Sequence, residues 1–248
     1  MQINYFGDKV IALFSEKKDG TMRLHDHDEW DAPVIARRKG YLSAHNIPYE
    51  RFVSAKLVHG NKAEIISRPS NANLLWNNLR IPNTDALITG DKGVFLSTTA
   101  ADCFPIYLYD PVQEIVGIIH AGWKGILRGV IEFTIEKAEN ELGLLPQETL
   151  IYVGPGIRAC HFEVQEDVGK QFEKFARYDS NLKKYYVDLE SAIWERLIQC
   201  GIMGKHIQLS GQCSHCAWDS PGGYKYFSFR REKSDPLQAQ FTVIGMIP

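Results

Sequence analysis

The stretch from Val94 to Gly125, VFLSTTAADCFPIYLYDPVQEIVGIIHAGWKG, does most to limit what this chain can fold into. It holds three short apolar runs, Val94–Thr98, Ile106–Tyr109 and Ile115–Ile119, bounded by Gly, Pro or Asp. Runs of that length between turn residues read as consecutive buried strands. A hairpin around Asp110-Pro111 then folds the region of Cys103 back beside His120. A thiolate and an imidazole at adjoining strand ends make either a nucleophile–base pair or two legs of a zinc site, and at this level both stay open.

Composition removes several classes. The 248 residues, 44% of them hydrophobic, suffice for one substantial core. A formal net charge of −2 gives no electrostatic case for nucleic acid or an anionic membrane as main partner. No apolar run approaches the ~20 residues that span a bilayer, and the start, MQINYFGDKVIALFSEKKDG, lacks a signal-peptide pattern. Five cysteines, an odd count, argue against a disulfide framework and for a reducing cytoplasm. The expectation is a cytoplasmic protein, monomer or homodimer.

Residues 3–14 read as a strand pair broken at Gly7-Asp8, and 23–32 as a polar loop with His25 and His27 in a solvated acidic turn. A helix is predicted to begin near Pro33, carrying Arg37, Arg38 and Lys39, with Arg38 either solvated or aimed inward at an anion. Residues 51–66 alternate as a strand with a bend at His59-Gly60, 69–84 are loop-like, and Asp85–Thr89 is a short strand. Ile126, Leu127, Val130, Ile131, Ile135, Ala138 and Leu142 predict one helix ending at Gly143. Leu150–Ile157 reads as a buried strand into a Gly-Pro-Gly turn. A helix follows with Val164, Val168, Phe172 and Phe175 on one side, then another over about 188–201. Strands are predicted near 207–211, 224–230 and 241–247. With no internal repeat, low-complexity segment or linker, the expectation is one domain over 1–248, of mixed α+β class.

His59, Cys103 and His120 each end an apolar run beside a small or turn residue, where a side chain can face a cleft. Two imidazoles and a thiolate supply three zinc ligands and leave the fourth position to water or substrate. The words around them add to this: VHG at 58–60, ADCFPI at 101–106, HAGWKG at 120–125, GPGI at 154–157 followed by FEV at 162–164, and FSFRRE at 227–232. Together they resemble the YfiH-like family, also called the multicopper polyphenol oxidase (laccase) or peptidoglycan editing factor family, over about Val34 to Val243. The resemblance implies a four-layer α/β/β/α sandwich. It also implies a metal at His59, Cys103 and His120, zinc with copper as the alternative, and purine nucleoside phosphorylase activity accompanied by adenosine deamination. Purine nucleosides, 5'-methylthioadenosine among them, and phosphate are then the expected ligands. This chain departs from the family pattern at Leu57, at Ala100 and in the tail RREKSDPLQAQ.

Arg38 falls where the family carries an Asn-Arg pair, and a guanidinium fork suits phosphate. Lys124 is the second substrate-contacting candidate, against the plain alternative of a solvated lysine at a helix start. Asp102 either orients an imidazole or caps a turn, and Asp85 is a weaker candidate. Cys213 and Cys216 form C-x-x-C around His215, with only Cys200 and His206 in view to complete a metal set, and read as ordinary small buried residues. Two other enzyme readings remain, a Cys103/His120 hydrolase acting on a cell-wall precursor peptide and a copper-dependent phenol oxidase. Eight scattered histidines are too few for a laccase-type copper cluster. A non-catalytic nucleoside or metal sensor is the reading outside catalysis.

Overall fold

The computed structural model describes residues 1–26, 28–67, 79–219 and 223–248. In chain order the described strands begin with β1 Val10–Phe14, β2 Phe52–Ala55, β3 Ala63–Ile65, β4 Leu79–Ile81, β5 Ala86–Thr89 and β6 Phe95–Ala100. There follow β7 Phe104–Asp110, β8 Ile115–Ala121, β9 Leu150–Val153, β10 Glu163–Val164, β11 Ala176–Asp179 and β12 Lys184–Val187. The last are β13 Ile207–Leu209, β14 Trp218–Asp219, β15 Gly223–Tyr224 and β16 Gln240–Met246. The α-helices are α1 Asp28–Ser43, α2 Trp123–Leu127, α3 Val130–Leu142, α4 Glu166–Gly169, α5 Leu189–Gln199 and α6 Phe229–Glu232.

Two mixed sheets carry the architecture, one ordered β1-β16-β6-β2-β4 and the other β13-β9-β7-β8-β5-β3. Three separate apolar clusters show how they stack. One fills the space between the sheets, with Ala12, Phe14, Leu96 and Ile244 of the first against Leu87, Tyr107, Val116 and Ile118 of the second. Another packs Leu42 of α1 on the outer face of the first sheet, against Leu13, Phe52, Phe95, Phe241 and Val243. The third joins Ile131 and Ile135 of α3 and Ile193 and Leu197 of α5 to Ile106, Leu108 and Ile119 on the outer face of the second. Because successive side chains of a strand point to opposite faces, each sheet divides its apolar residues between two clusters. The result is the expected α/β/β/α sandwich.

The central hairpin forms as expected: β7 and β8 pair antiparallel with Pro105 opposite His120 and Phe104 opposite Ala121. Its turn is held by Asp110, whose Oδ1 accepts the N–H groups of Val112 at 2.8 Å and Gln113 at 3.1 Å. The predicted strand over 51–66 is two strands, and they belong to different sheets: β2 to the first, β3 to the second. From β3 to β7 successive strands continue to alternate between the sheets, the last of these changes running from β6 to β7. His59 lies on the β2–β3 crossing and Cys103 on the β6–β7 crossing.

Several local expectations are corrected. Residues 4–6 form a 3-10 turn, not a strand, before Gly7 at φ +76°. α1 begins at Asp28, with Pro33 inside it, so part of the expected loop is helical. Asp31 in its first turns accepts the N–H groups of His25 at 2.7 Å and Asp26 at 2.9 Å, tying the incoming chain to the helix start. The single helix expected over 126–142 is split into α2 and α3, because Gly129 sits at φ +80° in the left-handed region. The helix expected around 164–175 is a two-residue strand, the short α4 and a 3-10 run Lys170–Phe175. The strand expected over 224–230 gives way to α6, capped by Ser228, whose side chain accepts the Arg231 N–H. His27 and most of the segment 69–84 lie outside the described residues.

Candidate metal centre

His59, Cys103 and His120 are brought together, their ligand atoms all within 4.8 Å of one another. Each arrives by a different route. His120 is the penultimate residue of β8, and Cys103 is one residue before β7, so the hairpin register places them side by side. His59 comes from the inter-sheet crossing after β2, held at φ +58°. The two imidazole rings stand edge to face, 4.9 Å apart at 77°.

Asp85, fully buried and one residue before β5, organises the group. Its carboxylate accepts the backbone N–H of His59 at 2.9 Å, of Gly60 at 2.8 Å and of Val58 at 3.3 Å. It also lies 3.0 Å from His120 Nδ1, and its carbonyl accepts the His120 N–H at 2.7 Å. One side chain thus fixes the His59 turn and the tautomer of His120, which leaves Nε2 toward Cys103. Burial pushes the Asp85 carboxyl up, but His120 and the two backbone amides outweigh it and hold it below its ordinary value.

The charges of the trio reinforce one another. Burial raises the Cys103 thiol, yet His120 and His59 more than reverse this and bring it to about 6. Burial lowers His120, and Cys103 and Asp85 lift it to about 9. The thiol is therefore ready to act as a thiolate. Gly122 explains the small residue in HAGWKG: a Cβ there would stand 2.7 Å from Cys103 Sγ and 3.1 Å from a His59 ring carbon. The backbone must come this close for the three donors to converge. A soft thiolate with two imidazoles, one oriented from behind by a carboxylate, fits zinc well.

His59 and Cys103 open into a cleft of about 330 Å³ walled by Trp123, Ile157, Phe162, Leu189, Phe229 and Leu237, with Lys124 and Arg230 on its lining, while His120 is buried behind them. Lys124 is exposed, its ammonium 5.4 Å from the Trp123 ring. Leu237 comes from the tail that departs from the family pattern, so that tail supplies part of the wall.

Arg38 lies elsewhere. It is 3% exposed, donates from Nε to Met22 O at 2.7 Å and from one terminal nitrogen to Ser54 Oγ at 3.3 Å, and stacks 4.6 Å from the Phe241 ring. Burial pulls its guanidinium down to about 9. It faces a second cavity with Arg23, Lys56 and Arg80, and with two of its nitrogens committed it offers a ligand one nitrogen and not a free fork. Asp102 orients no imidazole. At φ +86° it accepts Ser214 Oγ and the Arg230 N–H, both at 2.7 Å. Asp85, the weaker candidate from sequence, holds the role considered for Asp102. No local pattern marks it, because its partners lie 25 to 35 residues away.

The sequence matches the model of the multi-copper polyphenol oxidoreductase laccase family over residues 15–246. The chain belongs to that family. Among curated relatives, this laccase-family chain is 31% identical to a purine nucleoside phosphorylase of Clostridium acetobutylicum over 232 residues, 93% of this chain and 89% of that protein. It is 27% identical to the purine nucleoside phosphorylase YlmD of Bacillus subtilis over 229 residues, 86% and 82% of the two chains. Among solved structures, YlmD from Geobacillus stearothermophilus superposes with a TM-score of 0.84 at 25% identity, covering 99% of this chain and 94% of that one. YfiH of Bacillus licheniformis gives 0.83 at 26% identity, with coverages of 96% and 92%. The family's fold is the fold seen here.

Proposed function

We propose that this laccase-family chain is a zinc-dependent purine nucleoside phosphorylase whose metal is held by His59, Cys103 and His120. The observation that carries the reading is the trio itself, a thiolate and two imidazoles converging beside an aromatic cleft and braced by Asp85. The names of the relatives support the substrate class. Zinc held by three protein ligands keeps a position open and, when bound there, supplies a Lewis acid for substrate or water.

Phosphorolysis breaks the bond between purine N9 and ribose C1' and makes one from a phosphate oxygen to C1'. The base departs with the bonding pair and takes up a proton. The Phe162 and Phe229 rings and the flanks of Ile157 and Leu189 offer flat apolar surfaces for a purine. Lys124 and Arg230 bring positive charge to the side where the base becomes anionic. Phosphate reaches C1' from the neighbouring cavity of Arg23, Arg38, Lys56 and Arg80. Leu57 and Thr99 of its lining stand two residues along the chain from His59 and Ala101 of the cleft. Water at C6 of adenosine in place of phosphate at C1' gives inosine and ammonia, so deamination belongs to the same proposal.

The test is incubation of zinc-replete protein with adenosine, inosine and 5'-methylthioadenosine, with and without phosphate, and chromatography of the products. Base and ribose 1-phosphate formed only with phosphate are expected. Their absence for all three nucleosides would overturn the reading.

One observation favours a second reading. Cys103 at about 6 and His120 at about 9, with Asp85 behind, make a thiolate–imidazolium pair with an orienting carboxylate. That is the arrangement of a cysteine hydrolase, with a cell-wall precursor peptide as substrate. Metal analysis separates the two: activity in metal-free protein, abolished by alkylation of Cys103, would favour the hydrolase. A copper-dependent phenol oxidase finds less support. Among the described residues only two groups of three or more metal-ligating side chains form, and they hold three histidines between them, too few for a laccase-type copper cluster.

A further inference from the structure

The second of those groups lies outside the cleft. Cys160, His161, Cys213 and Cys216 converge with all four ligand atoms within 4.8 Å of one another. We propose that they form a second, structural zinc site of the Cys3His type, tying the turn after β9 to the turn before β14.

The donor atoms are spaced as a tetrahedral ion needs. Zn–S bonds of about 2.3 Å at tetrahedral angles put two sulfurs roughly 3.8 Å apart. Cys160 and Cys216 stand 4.0 Å apart at sulfur, His161 Nδ1 is 3.1 Å from Cys160 Sγ, and Cys213 Sγ is 4.0 Å from His161 Nδ1. A disulfide would need about 2.05 Å. The Arg158 N–H points at Cys213 Sγ at 3.5 Å, the kind of outer support that metal thiolates receive. The His215 ring stacks on His161 at 4.0 Å and 16°, fixing the plane of the imidazole.

Ordinary packing does not account for the cluster. Cysteine without a ligand or disulfide is among the most buried residue types, whereas Cys160 and Cys216 are exposed and face each other. The reading of Cys213 and Cys216 as small buried residues therefore fails for Cys216. Cys200 is not a partner; it packs against the core beside α5. The completing pair is the adjacent Cys160-His161, more than 50 residues upstream, so no C-x-x-C pattern announces it.

The ion has a mechanical purpose. Both turns grip the residue before Cys103: the Ile157 N–H bonds Asp102 O at 2.8 Å, and Ser214, inside the C-x-x-C, donates its hydroxyl to the Asp102 carboxylate at 2.7 Å. The Ser214 N–H also bonds Gly156 O at 2.9 Å. A metal joining residues 160–161 to 213–216 clamps the back wall of the cleft without touching its contents. The site stands whether or not the phosphorylase reading does.

The experiment is metal analysis of protein purified from zinc-supplemented cells without chelator. Wild type should carry two zinc ions per chain, His59→Ala one, the double variant Cys213→Ser/Cys216→Ser one, and the three substitutions combined none. Cobalt reconstitution gives a second reading, since the intense visible bands of a thiolate-rich tetrahedral site should persist in His59→Ala and vanish in the double cysteine variant. Should that variant fail to fold, peptide-mapped alkylation of wild type decides. Zinc should protect Cys160 and Cys216, and its removal should expose them. Two outcomes would overturn the proposal: a single zinc lost entirely with His59→Ala, or Cys160 and Cys216 alkylated at the same rate with and without zinc.

Discussion

Asp85→Asn alters the metal centre without touching a ligand. The carboxylate serves four donors, with the His59 N–H and His120 Nδ1 at Oδ1, and the Gly60 and Val58 N–H groups at Oδ2. An amide has one acceptor oxygen, so either the His59–His120 pair or the Gly60–Val58 pair must lose its partner, and the NH2 of a fully buried side chain then faces donors. Two charge-assisted bonds at the low end, about 1.5 kcal/mol each, amount to roughly 3 kcal/mol, or ~6–12 °C of Tm for a chain of this size. The consequence for metal is separate. With the NH2 toward His120, the imidazole must accept at Nδ1 and carry its proton on Nε2, where a ligand needs a lone pair. Loss of such a partner weakens metal binding about 10- to 100-fold. Zinc competition with a chromophoric chelator, beside thermal melts followed by circular dichroism, measures both effects. If the variant binds zinc within twofold of wild type at the His59 site, Asp85 does not orient His120 as described.

Gly122→Ala should abolish metal binding at the same site while the chain stays folded. Its backbone, φ −81° and ψ 163°, accepts alanine, and only the Cβ clash with Cys103 and His59 acts; zinc content near wild type would contradict this. Cys103→Ser should weaken zinc affinity strongly with little change in Tm, since a hydroxyl is a poor zinc ligand at neutral pH. Arg38→Ala should raise the KM for phosphate and depress phosphorolysis more than deamination. It should also lower Tm, because the Met22 carbonyl loses a buried donor, and Arg38→Lys should fall between. Equal losses in both reactions would leave Arg38 a structural residue.

Where the interactions are local, the sequence shows them. The β7–β8 hairpin could be read because Asp110 closes its own turn, and the α5 helix because Asp188 caps it through the Ser191 N–H. From the hairpin followed the meeting of Cys103 and His120. What stayed hidden was long-range. Nothing between Phe52 and Ile65 states that its two strands join different sheets, since a strand's partner is chosen by packing far along the chain. The break at Gly129 is masked by apolar residues that keep helical spacing on both sides. Asp85 and Cys160-His161 carry no signature of their own, and acquire roles only when folding delivers their partners.

The β2–β3 and β6–β7 crossings make the His59–Cys103 pair a gauge of how the two halves of the sandwich dock. One ligand rides each crossing, so the ligand set is complete only when both sheets sit in register with one another. Tyr107, from the middle of the second sheet, donates its hydroxyl to Leu13 O of the first at 2.8 Å, a polar stitch across a seam filled mainly by apolar side chains. Loosening that seam shifts the crossings relative to each other before any strand unpairs. Metal affinity should therefore fall in Tyr107→Phe while far-ultraviolet circular dichroism stays native, and zinc occupancy would register strain at an interface it does not touch.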